Sequence, residues 1–270
     1  MEYSRVIIFM IINKKLLFYL FLALSVRLLI VAFAENNFIF RDLLSNSISV
    51  VYERSAYLKA YGYKYSQTLP GSPAYIELSS QIDSINQGII PENLIVPREG
   101  LYNTMHYPPG YSTIGSMLFL IFKVPFKIVM HIFGIIMDCL SIIILYNLCK
   151  VLFPSSKIIH NWSCAIYAIY PPIAFGSVSI TPETTNIFLV LLMSYLFLIS
   201  YDKGRLISLN TFLIGILNGL NGYLRSDLIL FPFFLSLLFL GRKSLKKAVI
   251  RFSQYNFLIF IITVLILSPW

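Results

Sequence analysis

Charge is what this chain has least of. Only 12% of its 270 residues are charged while 57% are hydrophobic, and its mean hydropathy is +0.76. A soluble domain carries roughly 25% charged residues, so the composition excludes a soluble protein. Acids are scarcer than bases, 12 against 21, which leaves a net charge of +9. In a soluble chain that surplus would suggest nucleic acid. Here the bases lie in loops between apolar spans, the distribution that sets membrane orientation, and no nucleic-acid partner is expected. Cysteine is also sparse. Cys139, Cys149 and Cys164 fall in or beside apolar spans without metal-ligand spacing and read as packing residues. The chain has no Ser-His-Asp order, no HExxH pair and no phosphate loop. His131 and His160 stand alone and are read as structural.

What is abundant is apolar sequence in runs. Crossing about 30 Å of hydrocarbon at about 1.5 Å per residue takes about 20 residues. Seven stretches meet or approach that length: Leu16 to Ala34, Ile128 to Leu148, Trp162 to Ile180, Thr184 to Tyr201, Leu206 to Tyr223, Leu228 to Leu240 and Phe257 to Trp270. Tyr111 to Phe122 is too short and reads as interfacial or re-entrant. The expected fold is therefore all-α, a polytopic transmembrane helix bundle of about seven spans. Its organisation is a cytoplasmic N-terminus over 1–15, a first transmembrane helix over 16–34, an extracytoplasmic loop over 35–127 with short interfacial helices, and a bundle of about six helices over 128–270. The charges orient it. With the N-terminus inside, the inner segments hold Arg5, Lys14, Lys15, Lys150, Lys157, Lys203, Arg205, Arg242, Lys243, Lys246, Lys247 and Arg251 with almost no acid. The segment from Glu35 to Lys127 carries seven bases and seven acids, as an outer loop should. A plasma-membrane location with the N-terminus cytoplasmic follows. The first run could instead be a cleaved signal peptide ending in Ala32-Phe33-Ala34, but its length and the internal Arg27 favour a retained helix.

Four polar groups converge on the outer face in this topology. They are the Tyr-rich loop itself, His106-Tyr107-Pro108-Pro109-Gly110-Tyr111, Thr181-Pro182-Glu183, and Arg225-Ser226-Asp227. A carboxylate at the membrane boundary costs free energy unless paired or wet, so Glu183 invites a functional reading. It could equally be an acid in the first turn of a helix, favoured by about 0.3 to 1 kcal/mol through the helix dipole. Arg225 suits a phosphate at the headgroup layer or serves as a snorkelling anchor. Arg27 and Asp138, each costing about 2.5 to 3.5 kcal/mol at mid-span, should face the bundle interior, where they could pair. Gly215, Gly219 and Gly222 are spaced for close helix packing.

The order of these features resembles the lipid-linked-sugar glycosyltransferases of the GT-C fold, nearest to protein O-mannosyltransferases and aminoarabinose transferases. The resemblance rests on the first span, the large loop, Tyr107-Pro108-Pro109-Gly110-Tyr111, Ser179-Ile180-Thr181-Pro182-Glu183, and the glycine-rich helix from Gly215 to Arg225. It implies an inverting transfer from a polyprenyl-phosphate sugar to an acceptor lipid, glycan or protein at the extracytoplasmic face. The resemblance needs no cofactor, because the phosphate leaves as a stable anion. The catalytic base of the family is an Asp before a Tyr-x-x-x-Ala, which Tyr52 to Ala56 fits, but no acid stands at 47–49. Asp42 or Glu53 would substitute. Glu183 would orient the acceptor or hold Arg225, and His106, Tyr107, Tyr111 and Arg225 would bind substrate. The family continues beyond a Pro-Trp like Pro269-Trp270, so the chain is expected to be a fragment or a partner-dependent remnant.

Three other functions compete with sugar transfer. A transporter subunit would use Arg27 and Asp138 as pathway charges, but no internal repeat accompanies them. A polysaccharide polymerase or ligase would carry its large loop late in the chain. A non-catalytic assembly factor fits the missing Asp and the short length.

Overall fold

The structure, a computed structural model, describes residues 14–36, 47–63, 66–103, 108–202, 208–238 and 245–268. They form an all-α bundle with a small folded unit inserted after the first helix. In chain order the helices are α1 (Lys14–Asn36), α2 (Ser47–Ala60), α3 (Pro73–Asn86), α4 (Gly110–Phe122), α5 (Phe126–Leu152), α6 (Lys157–Ile169), α7 (Pro171–Val178), α8 (Glu183–Asp202), α9 (Leu209–Leu224), α10 (Phe231–Ser236) and α11 (Leu245–Leu267).

Among the described residues, four helices are long and apolar enough to cross a membrane, over Lys14–Ala34, Phe126–Leu152, Glu183–Tyr201 and Val249–Leu267. The remaining expected spans are broken or short. Trp162 to Ile180 is split at Tyr170, which is extended at ψ 116°. The cause is Pro171, whose ring disfavours the α region for the residue before it and then opens α7 with its own fixed φ. Leu228 to Leu240 is likewise discontinuous: a 3-10 turn over Ser226–Leu228 precedes α10, which carries a proline in its first turn.

The inserted unit has its own order. Ser72 caps α3 by accepting from the Tyr75 amide, and Pro73 opens the helix where no amide is needed. β1 (Ser66–Thr68) pairs antiparallel with β2 (Leu101–Asn103), Ser66 opposite Asn103. Tyr57 and Leu58 of α2 and Ala74, Leu78 and Ile85 of α3 are fully buried in one hydrophobic cluster. Tyr57 also fastens the unit to the bundle, its hydroxyl accepting from the Phe126 amide at 2.9 Å where α5 begins.

Within the bundle, α5 packs against α8. Phe133 and Met137 of α5 share a cavity wall with Thr185, Phe188 and Leu189 of α8. His131 Nδ1 contacts the Val178 carbonyl oxygen at 2.5 Å, and His160 Nε2 contacts that of Phe153 at 2.7 Å, so each histidine serves the backbone of a connection. Arg27 and Asp138 do meet, 2.8 Å apart with both side chains fully buried. Arg27 also donates to the Ala168 carbonyl, so one guanidinium ties α1 to α5 and α6.

The three glycines of α9 face α11. A Cβ added at Gly219 would stand 2.6 Å from the Ile266 Cβ and Cγ2, and one at Gly215 would stand 2.8 Å from the Ile262 Cβ. Both obstacles lie at the root of a branched side chain, which cannot swing away. Gly219→Ala is expected to destabilise by about 1 to 3 kcal/mol, read as a lower melting temperature in detergent. Ile266→Ala in the same chain should recover little of the loss, because alanine keeps the Cβ that stands at 2.6 Å.

Candidate active site at one end of the bundle

The site forms where the start of α4, the start of α8 and the end of α9 come together. Pro109 caps α4 and Gly110 opens it. At Gly110 a Cβ would stand 2.6 Å from the Tyr223 carbonyl oxygen, so the absence of a side chain lets the Pro108-Pro109 turn rest directly on the last turn of α9. One residue beyond α9, Arg225 leaves the helix in an extended conformation at φ −155° and ψ 116°. Its guanidinium turns back across the bundle end. Nη1 donates to Glu183 Oε1 at 3.1 Å, while Nε donates to Asp227 Oδ1 at 3.0 Å and Nη2 lies 3.0 Å from Asp227 Oδ2. Two carboxylates thus share one guanidinium. The Asp227 hydrogen bond, chief among the causes, raises the Arg225 pKa above its ordinary value. All three side chains are partly exposed, 40% for Arg225 and 47% for Glu183, and water screening keeps the pairing modest.

Two tyrosines floor the site. Tyr111, buried in the first turn of α4, meets Tyr52 of α2 edge to face with ring centroids 5.2 Å apart. Tyr111 lies within electrostatic reach of Glu183, and Tyr52 within that of Arg225. Of the residues expected from the sequence, Glu183, Arg225 and Tyr111 therefore share one site. Asp42, His106 and Tyr107 lie outside the described residues.

Glu53 takes a different position. It follows Tyr52 by one residue, which on a helix is about 100° of rotation, and it faces the start of α5. There Lys127 Nζ lies 3.7 Å from its Oε2. Burial raises the Glu53 pKa above the usual glutamate range, against smaller lowering contributions from Lys127, Asn86 and Arg54. The sign of the linkage follows. The folded state holds this proton more tightly than the unfolded chain, so the stability contributed is present below the ordinary glutamate pKa and is lost as pH rises through the raised value. Glu53→Gln is expected to be at least as stable as the parent at pH 7 and to flatten the pH dependence of thermal melts between pH 4 and 7.

Beneath the polar rim lies a cavity of about 750 Å³. Its wall combines Pro109, Gly110, Ile114, Phe133, Leu217 and Tyr223, and Thr185 lines it two residues past Glu183. Among the described residues, Lys59 is the cation on this wall. Lys59 was not singled out from the sequence, and Asp227 entered only as part of the Arg225-Ser226-Asp227 group without a role of its own. A signal for the first existed, because Lys59 follows Tyr52 by seven positions and so shares its helical face.

Residues 106–270 match the family of dolichyl-phosphate-mannose-protein mannosyltransferases. The chain belongs to this family. Its members are membrane glycosyltransferases that draw on polyprenyl-phosphate sugars, which accords with the apolar helices and with transferase activity. The matched region begins just before the Pro108-Pro109 turn and contains Tyr111, Glu183 and Arg225. No curated protein and no solved structure matches the chain.

Proposed function

We propose that the chain transfers a sugar from a polyprenyl-phosphate donor to an acceptor hydroxyl at the extracytoplasmic face of the plasma membrane, inverting the anomeric configuration. The observation that carries this reading is the Glu183–Arg225 pair at the mouth of an apolar cavity, beside the Pro109-Gly110 turn. A polar rim over an apolar groove suits a substrate that is sugar at one end and hydrocarbon at the other.

Two acids of the site reach solvent, and Arg225 takes both carboxylate oxygens of Asp227 but only one of Glu183. Arg225 takes Glu183 Oε1 and orients the carboxylate, leaving Oε2 to receive a proton. In the step proposed, the acceptor O–H gives its proton to Glu183 while the acceptor oxygen bonds to the anomeric carbon. The bond from that carbon to the phosphate oxygen breaks, its electron pair staying on the departing polyprenyl phosphate. Hydrogen-bond reach of about 2.6 to 3.2 Å between Oε2 and the acceptor oxygen is required. Glu53, 4% exposed and held by Lys127, is a supporting residue of the inserted unit on this reading.

Membranes containing the chain are expected to move label from a polyprenyl-phosphate mannose onto an acceptor fraction, whereas membranes without it are not. No transfer from any polyprenyl-phosphate sugar, with the chain present at normal levels, would sink the transferase reading. Orientation is checked separately: a cysteine placed at the exposed Ile89 is expected to react with an impermeant maleimide added outside intact cells. Labelling only after the cells are broken would reverse the topology.

A further inference from the structure

We infer that Lys59, and not Arg225, is the cation that receives the phosphate of the lipid, with the hydrocarbon chain lying in the cavity that Lys59 borders. The inference rests on the transferase reading for its donor, but stands on separate observations.

The first is the state of the two cations. Arg225 already serves two carboxylates, Glu183 and Asp227, so the cluster carries one excess negative charge and repels a phosphate. Lys59 has no carboxylate partner among the described residues. Its recorded hydrogen bond goes to the Thr113 hydroxyl at 2.7 Å, and that hydroxyl donates to the Pro109 carbonyl, also at 2.7 Å. The ammonium is therefore held in place by a neutral group, with donors to spare. Burial is what lowers the Lys59 pKa, as expected for a cation without an anion beside it.

The second is where the ammonium stands. Lys59, Pro109, Gly110 and Thr113 line the same end of the cavity as Tyr223, next to the polar rim. From there the walls are Ile114, Met117, Met137 and Leu217, running inward between α4, α5 and α9. A free phosphate has no use for such walls. A phosphate that carries a long hydrocarbon does, and its sugar would then project past Pro109 toward Glu183. An ammonium on an apolar wall is costly alone and is relieved by an arriving anion, whose charge-assisted hydrogen bonds strengthen in a dry setting.

The test uses the full chain in nanodiscs of zwitterionic lipid, binding fluorescent polyprenyl phosphate or the uncharged polyprenol of equal length. The parent is expected to prefer the phosphate about tenfold or more, the order of a single charge-assisted contact. Lys59→Met should erase that preference without weakening polyprenol, Lys59→Arg should restore it, and Arg225→Met combined with Asp227→Asn, which keeps the cluster at one excess negative charge, should leave it in place. Met117→Trp, which narrows the groove, should weaken both lipids. Inorganic phosphate at equal concentration should not compete. The proposal is overturned if Lys59→Met keeps the preference, if the charge-neutral Arg225→Met with Asp227→Asn removes it, if inorganic phosphate competes, or if neither lipid binds the parent. A Lys59-dependent preference in a chain that transfers no sugar would refute the transferase reading alone.

Discussion

Arg27→Met alone is expected to destabilise the bundle by about 3 to 5 kcal/mol, and Asp138→Leu alone by a similar amount, because each leaves its partner charged and uncompensated in the interior. Both side chains are fully buried and 2.8 Å apart, so neither orphaned charge can reach water. The double variant Arg27→Met with Asp138→Leu should return close to parental stability, since replacing a buried pair by apolar side chains of similar volume is often neutral. Denaturation of the purified chain in detergent reads all three. Additive losses in the double variant would mean that the pair is not the unit of stability, and that the Arg27 bond to the Ala168 carbonyl accounts for more than the ion pair. Lipid-side function is a second readout. A transporter using these charges as a pathway would lose activity in the double variant, whereas a transferase with its site at Glu183 would keep it.

The other large effect concerns chemistry. Glu183→Gln is expected to lower transfer by about 10² to 10⁴-fold, the range spanned by general base catalysis, while lipid binding stays unchanged. Arg225→Met should also lower kcat, through a carboxylate that is no longer oriented, with little change in KM for the lipid donor. Asp227→Asn should have the mildest effect of the three, because the Arg225 contact to Glu183 survives it. Measurement of kcat and KM in reconstituted membranes separates these outcomes. Unchanged turnover in Glu183→Gln would remove this residue from catalysis and return attention to Asp42.

How much of this could be read before the fold was known differs from residue to residue. Arg27 and Asp138 were conspicuous as charges inside apolar runs, and a low-dielectric surrounding leaves such charges little choice but each other. The break at Pro171 was also visible in principle: a Pro-Pro pair inside Trp162 to Ile180 disfavours a continuous helix, and the apolar count alone hid it. Glu53 was not decidable. Adjacent helical residues point about 100° apart, and nothing local says whether Tyr52 or Glu53 faces the site. Lys59 was hidden for the same reason. Its face could be inferred from Tyr52, but not that the opposing wall would be apolar and without an acid.

The sequence was enough to make this chain an all-α membrane protein, because hydrocarbon demands long runs without charge and those runs are countable, although a run need not be one helix, as the break at Pro171 shows. It also determined which few polar residues must matter, since each is costly where it stands. How they pair is settled by packing in three dimensions. Glu183 and Arg225 are 42 residues apart along the chain and 3.1 Å apart in space, brought together by the packing of α8 on α9. Such a meeting is a property of packing between helices, which no periodicity along a single helix encodes.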